Sequence, residues 1–244
     1  MTKTFNWQQV IKILGVLLMT EALFMLIAAF VAYIYKGDDF VAIIESAIIT
    51  FTAGIAGVLI GGNSTKHFGT REGYLVVGLV WIVFSLFGML PFRISHYIPS
   101  VTDAFLETMS GFTTTGATIL TDIEALPYGL LFFRSMIQRL GGMGIVVLTV
   151  SLMPLLGVGG FKLIKAETTG PEKDKITPKI TVTAKILWII YVSFTAAQTI
   201  LLMIAGMDFV DALSHAFSTL GTGGFSTKNS SIGFYNSDAI QWIC

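Results

Sequence analysis

Apolar side chains in this chain gather into runs long enough to cross a bilayer. A hydrocarbon core of about 30 Å is spanned by roughly 20 apolar residues of helix. Four runs meet that length, Ile13 to Tyr35, Phe40 to Gly62, Tyr74 to Ile94 and Ile180 to Ala205, and each predicts a transmembrane helix. A fifth, Leu126 to Leu156, can cross with tilt although Arg134, Gln138 and Arg139 interrupt it, and a sixth starts near Ser237. The first run is longer than a secretory h-region of about 7 to 15 residues and lacks a small-x-small cleavage site, so it reads as a retained helix.

Two short segments between the runs break this pattern: SVTDAFLETMSGFTTTGAT, Ser100 to Thr118, and DFVDALSHAFSTLGTGGFS, Asp208 to Ser226. They superimpose at a fixed offset of 108 residues, which places Asp103 on Asp211, Ala104 on Ala212, Ser110 on Ser218, Thr114 on Thr222 and Gly116 on Gly224. Upstream, Ile82 falls on Ile190 and Ser85 on Ser193, so the repeated unit is helix, short helix, Gly/Thr segment, helix. Each short helix opens with a capping residue, Ser100 or Asp208, three positions before an acidic one, Asp103 or Asp211, and together these can satisfy free amide donors. Residues Val101 to Gly111 cover roughly 16 Å as helix, about half the core, so this element must dip in and return.

Backbone that returns at membrane depth is tolerated only where protein buries it or where it lines a watery path. The returning residues are Thr113 to Thr118 in one unit and Gly221 to Ser226 in the other. Glycine permits conformations that point successive carbonyls the same way, threonine adds a hydroxyl oxygen, and rings of such oxygens can replace the hydration shell of a monovalent cation. The short helices aim their C-terminal ends, each worth about half a negative charge, at the same place. Small residues also pack helices together, and that is the reading for Gly57 and Gly61 and for Gly141, Gly142 and Gly144. Packing alone does not require a capped half-length helix upstream, twice.

Composition agrees with a membrane protein. Of 244 residues 54% are apolar and 12% charged, with a mean hydropathy of +0.77, which excludes an ordinary soluble domain. Net charge is zero, so nothing points to a nucleic-acid partner. One cysteine, Cys244, excludes an internal disulfide framework, and His67, His96 and His215 form no zinc signature, so no enzymatic chemistry is indicated. With the N-terminus inside, Lys3, Lys12, Lys66, Arg71, Lys162, Lys165, Lys173, Lys175, Lys179 and Lys185 lie on the inner side and only Lys36, Arg93 and Lys228 outside, which sets a cytoplasmic N-terminus. The outer segments then collect Asp38, Asp39, Asp103, Glu107, Asp122, Glu124, Asp208, Asp211 and Asp238, either a cation-focusing vestibule or a solvated acidic rim. The stretch from Gly157 to Lys179, with two prolines and mixed charge, reads as a cytoplasmic linker.

The T-T-T-G-A-T segment after a short helix, followed by a second unit with S-T-L-G-T-G-G-F-S-T, resembles the TrkH/TrkG/KtrB/HKT superfamily of potassium transporters, as does Q-R-L-G-G-M-G-I from Gln138 to Ile145. Two extra helices ahead of the first unit, Ile13 to Gly62, are similar to the TrkH branch. The resemblance implies an all-α membrane protein: an N-terminal two-helix region (1–72), a first repeat of helix, pore helix, filter and helix (73–156), the linker (157–179) and an incomplete second repeat (180–244). It implies potassium uptake across the bacterial inner membrane, with filter carbonyls from Thr114, Thr115, Gly116 and Ala117 and from Thr222, Gly223, Gly224 and Phe225. Potassium would be the transported ligand, with no further cofactor. The family pattern closes its filter with four linked repeats, so third and fourth repeats are expected as partners beyond Cys244. It also implies a homodimer in membrane lipid and a cytosolic, TrkA-like nucleotide-binding regulator; this chain carries no P-loop of its own. An ion-coupled secondary transporter built on re-entrant hairpins and a nonconducting assembly subunit remain the alternatives.

Further side chains stand out. Glu21 lies inside the first span, where a structural partner or neutralisation is expected. Arg134 and Arg139 are expected to snorkel or to pair with acidic groups near the vestibule, with gating roles open. Glu107 and His215 match at the 108 offset and are placed to frame the filter by hydrogen bonding. Trp7, Trp81, Trp188 and Trp242 suit interfacial belts or helix packing.

Overall fold

The computed structural model describes residues 5–62, 70–156 and 176–244, and within them the chain is helical with no strand. In order these are α1 (Trp7–Ile34), α2 (Phe40–Gly61), α3 (Thr70–Gly88), α4 (Leu90–Ile94), α5 (Val101–Phe112), α6 (Tyr128–Leu156), α7 (Ile176–Ile204), α8 (Phe209–Leu220), a 3-10 turn (Ser231–Tyr235) and α9 (Asp238–Ile243). Four stretches among the described residues are long and apolar enough to cross a membrane: Trp7–Ile34, Phe40–Gly61, Arg71–Ile94 and Lys185–Ile204. Their outer faces carry Leu23, Ile27, Phe30, Ile60, Ile189, Phe194 and Ile204 exposed, as hydrocarbon requires.

α1 and α2 form an antiparallel hairpin whose contact is made by glycine. A Cβ on Gly15 would lie 2.7 Å from the Gly54 carbonyl oxygen, and one on Gly57 would lie 3.1 Å from the Gly15 Cα. The backbones touch, the arrangement small residues allow in lipid, where no hydrophobic effect draws helices together. The run Tyr74 to Ile94 is two helices because Pro91 has no N–H to continue the ladder and restarts it as the first turn of α4. α7 starts at Ile176, ahead of the expected Ile180, since Pro178 sits in its first turn where the missing N–H costs nothing. The last residues assigned to the linker are therefore helical, and the rest of it, 157–175, lies outside the described residues.

α6 differs from the other long helices. Every residue from Leu130 to Gln138 is buried, so this stretch meets protein on all sides instead of lipid. Its polar interruptions are thereby explained: Arg134 and Gln138 have partners on other elements, where a lipid-facing helix would have none, and Ser135 bonds the Leu131 carbonyl of its own helix. The core gathers around α6, whose Phe133 and Ile137 meet Phe92, Phe112 and Val210 brought in from the flanking helices. α5 and α8, each 12 residues long, are too short to cross and lead into the Gly/Thr segments beside α6.

Candidate functional site

The two Gly/Thr segments repeat each other's backbone bond for bond. At the end of α5 the N–H groups of Thr113, Thr114 and Thr115 donate to the carbonyls of Met109, Gly111 and Ser110; at the end of α8 those of Gly221, Thr222 and Gly223 donate to Phe217, Thr219 and Ser218. Thr114 and Thr222 then take φ of 54° and 55°, and Gly116 and Gly224 take 76° and 83°. A non-glycine residue in the left-handed region carries strain of about 1 to 2 kcal/mol, and here it recurs 108 residues apart at matching threonines. The turn it makes frees the oxygens that follow. Among the described residues no hydrogen bond is accepted by the carbonyls of Thr114 to Ala117 or of Thr222 to Phe225. The segments lie side by side, so close that a Cβ on Gly116 would stand 1.9 Å from the Gly223 carbonyl oxygen.

Caps fix where the short helices begin. Ser100 accepts from the Asp103 N–H at 3.3 Å and Asp208 from the Val210 N–H at 3.2 Å. The acidic partners do not complete reciprocal boxes: Asp211 instead accepts from the Tyr235 hydroxyl at 2.8 Å and pairs with Lys228 at 3.3 Å. Burial and that bond to Asp211 push the Tyr235 hydroxyl well above its ordinary value, so it stays a donor.

Behind the segments, Glu107 and His215 occupy matching positions and reach matching hydroxyls. The Glu107 carboxylate accepts from Thr118 at 2.9 Å and from the Ile119 N–H at 3.0 Å. His215 Nε2 lies 3.0 Å from Ser226 Oγ, while Nδ1 faces the Asp211 carbonyl at 2.8 Å. A carbonyl only accepts, so Nδ1 carries the proton, and in the neutral ring Nε2 accepts from Ser226. The sequence expectation of a hydrogen-bonded frame for this pair agrees with these contacts.

α6 supplies the rest of the support. Arg134 Nε donates to Glu107 Oε1 at 2.6 Å, Nη1 donates to the Ser226 carbonyl at 2.9 Å, and the guanidinium lies 3.7 Å from the Phe225 ring centroid. One turn on, Gln138 Oε1 accepts from Ser218 at 2.7 Å and from the Phe225 N–H at 3.1 Å. Gly141 packs on the Phe112 carbonyl and Gly142 on Gly221, where Cβ atoms would come within 2.0 and 2.8 Å. Arg134 thus pairs with a carboxylate, but fully buried between the segments and away from any vestibule. Arg139 pairs with no carboxylate among the described residues; it bonds Thr195 and lies over Tyr191 and Phe217. Glu21 is fully buried, and neither carboxylate oxygen is partnered among the described residues.

Asn229 ties the two units together. Its side chain accepts from the Ile123 N–H at 2.6 Å and donates to Asp122 at 2.8 Å, and its own N–H donates to Glu124 at 3.1 Å. Some of the acidic residues grouped as a vestibule are therefore spent on this clasp.

Residues 39–244 match the family model described as TrkH, cation transport protein. The chain belongs to the TrkH family. It is 44% identical over 239 residues to the Trk system potassium uptake protein TrkH of Halomonas elongata, covering 97% of this chain and 50% of that protein. It is 43% identical to TrkH of Escherichia coli K12 (98% and 50%) and 36% identical to TrkG of the same strain (94% and 48%). The crystal structure of the potassium transporter TrkH from Vibrio parahaemolyticus aligns with a TM-score of 0.83 at 38% identity, over 98% of this chain and 48% of that one. The chain spans about half the length of the curated relatives it matches. With this membership and its apolar helices, it is a membrane protein.

Proposed function

We propose that this chain contributes two of the filter segments of a potassium uptake pathway, with potassium held by the carbonyls of Thr114, Thr115, Gly116, Ala117, Thr222, Gly223, Gly224 and Phe225. The observation that carries this reading is the paired backbone: two adjacent segments, each bent by a left-handed threonine and a left-handed glycine, each with its oxygens free of bonds from the described residues. Such oxygens at the C-terminal end of a buried helix favour a dehydrated monovalent cation. The relatives' names, potassium uptake proteins of a Trk system, point the same way.

On this reading the divisions 1–72, 73–156, 157–179 and 180–244 are the N-terminal hairpin, the first pore repeat, the linker and part of the second repeat. Two further segments complete the ring, a homodimer forms in the inner membrane with the N-terminus cytoplasmic, and a TrkA-like nucleotide-binding protein acts from the cytosolic face. Potassium is cargo, and no enzymatic step or resident cofactor is required.

Flux through proteoliposomes of the complete assembly tests this. Potassium entry driven by its own gradient, without a sodium or pH gradient, supports the pore. A strict need for one of those gradients supports a coupled carrier, and an intact assembly that passes nothing supports a nonconducting subunit.

A further inference from the structure

We infer that Arg134 is a specificity-determining positioning residue. By joining the carboxylate behind the first segment to a carbonyl behind the second, it sets the spacing between the two rows of free oxygens, and with it the preference for potassium over sodium. The inference rests on the filter reading above.

Arg134 holds both units at once. Its Nε donates to Glu107, which itself holds Thr118 and Ile119 just after the first segment. Its Nη1 donates to the Ser226 carbonyl, the residue after Phe225, and its plane covers the Phe225 ring. Arg134 and Glu107 are 1% and 0% exposed, so the link is stiff and unscreened by water. A guanidinium suits this place because its planar fork directs donors to two acceptors in fixed relative orientation; an ammonium on a flexible stem does not. Among the described residues Arg134 donates to Glu107 and the Ser226 carbonyl and to none of the free oxygens, so it acts on the ion by placing them. If discrimination depends on the size of the oxygen cage, a looser brace admits the smaller ion more readily.

The test is competition between potassium and sodium for uptake by the complete assembly, in wild type, Arg134→Lys and Glu107→Gln, with membrane protein levels measured alongside. Arg134→Lys keeps the charge but loses the fork. Glu107→Gln keeps shape and an acceptor but loses the ionic half of the brace. The expected result is a fall in potassium preference of roughly tenfold, the scale of one or two hydrogen bonds to a charged group, with maximal potassium flux per protein largely kept. Unchanged preference in a variant that still transports overturns the inference, and if Arg134→Lys does not accumulate, Glu107→Gln decides alone. A wild type that shows no potassium preference overturns the filter reading itself, a separate outcome.

Discussion

The first and second Gly/Thr units share a backbone and differ in what holds it. Behind the first stands a carboxylate, Glu107, paired with Arg134; at the matching place behind the second stands an imidazole, His215 with Ser226, beside Gln138 on the Phe225 N–H and Arg134 on the Ser226 carbonyl. Ala117 is exposed, whereas its counterpart Phe225 is buried under Arg134 against Gly111. The local bonds and left-handed turns are therefore the constant part, and the props are free to vary so long as the hydroxyls of Thr118 and Ser226 are caught. A carboxylate at one of the matching positions and an imidazole at the other also makes the units unequal in how they fail.

The largest effect is expected at the two left-handed glycines. Gly116→Ala combines a positive φ with a Cβ 1.9 Å from the Gly223 oxygen, so the neighbouring segment must move. It should lower potassium-limited growth and tracer uptake by well over about tenfold, a 1.4 kcal/mol change being enough for that factor. A Cβ on Gly224 meets nothing within 4 Å, and in this chain it costs only left-handed strain. If a third segment packs on the second as the second packs on the first, Gly224→Ala becomes as damaging as Gly116→Ala in the complete assembly. Mild Gly224→Ala uptake there would break the ring arrangement.

Next come the props. Removing Glu107 as Glu107→Ala strands a buried guanidinium and should cost about 3 to 5 kcal/mol, whereas His215→Ala removes a neutral bond and should cost about 1 to 3 kcal/mol. Thermal unfolding in detergent measures both. Equal losses would show that the pair at Glu107 contributes no more than an ordinary hydrogen bond.

Much of this was legible in the sequence, for a reason the second unit makes clear. Span length, helix caps and the 108-residue offset are local or periodic features, and a bilayer leaves few ways to fold them. α6 was harder to read, because Arg134 and Gln138 look like flaws in a lipid-facing helix until the helix is known to be buried in protein. Their partners lie 27, 80, 87 and 92 residues away in the chain, beyond what any local pattern records. A signal was present nonetheless: polar residues four apart share one face of a helix, and these interrupt a run otherwise fit for burial. The Asn229 clasp left no such signal, since a single asparagine in a polar loop looks like any other.

That clasp yields the next prediction. Asn229→Ala removes bonds to Asp122, Ile123 and Glu124 at an exposed site, where water replaces part of what is lost, so a cost of about 1 kcal/mol is expected in the same unfolding assay. A loss as large as that of Glu107→Ala would mean that the loops around Asp122 and Asn229, and not α6, hold the units in register.

The smallest effect is expected at Asp39, where α2 and α6 meet outside the span. Asp39 Oδ2 accepts from the Leu130 N–H at 2.8 Å, yet burial outweighs this bond and holds the carboxyl above its ordinary value. The folded chain then binds this proton over a pH range in which the unfolded chain has lost it, so stability falls as pH rises from the ordinary aspartate value of about 3.9 through the raised one. Asp39→Asn keeps an oxygen for the Leu130 N–H and cannot ionise. Its unfolding midpoint should change less than that of wild type across that acid range and lie slightly above it at neutral pH. A variant less stable than wild type at neutral pH would show that the charge on Asp39 helps the start of α6, reversing the sign argued from burial.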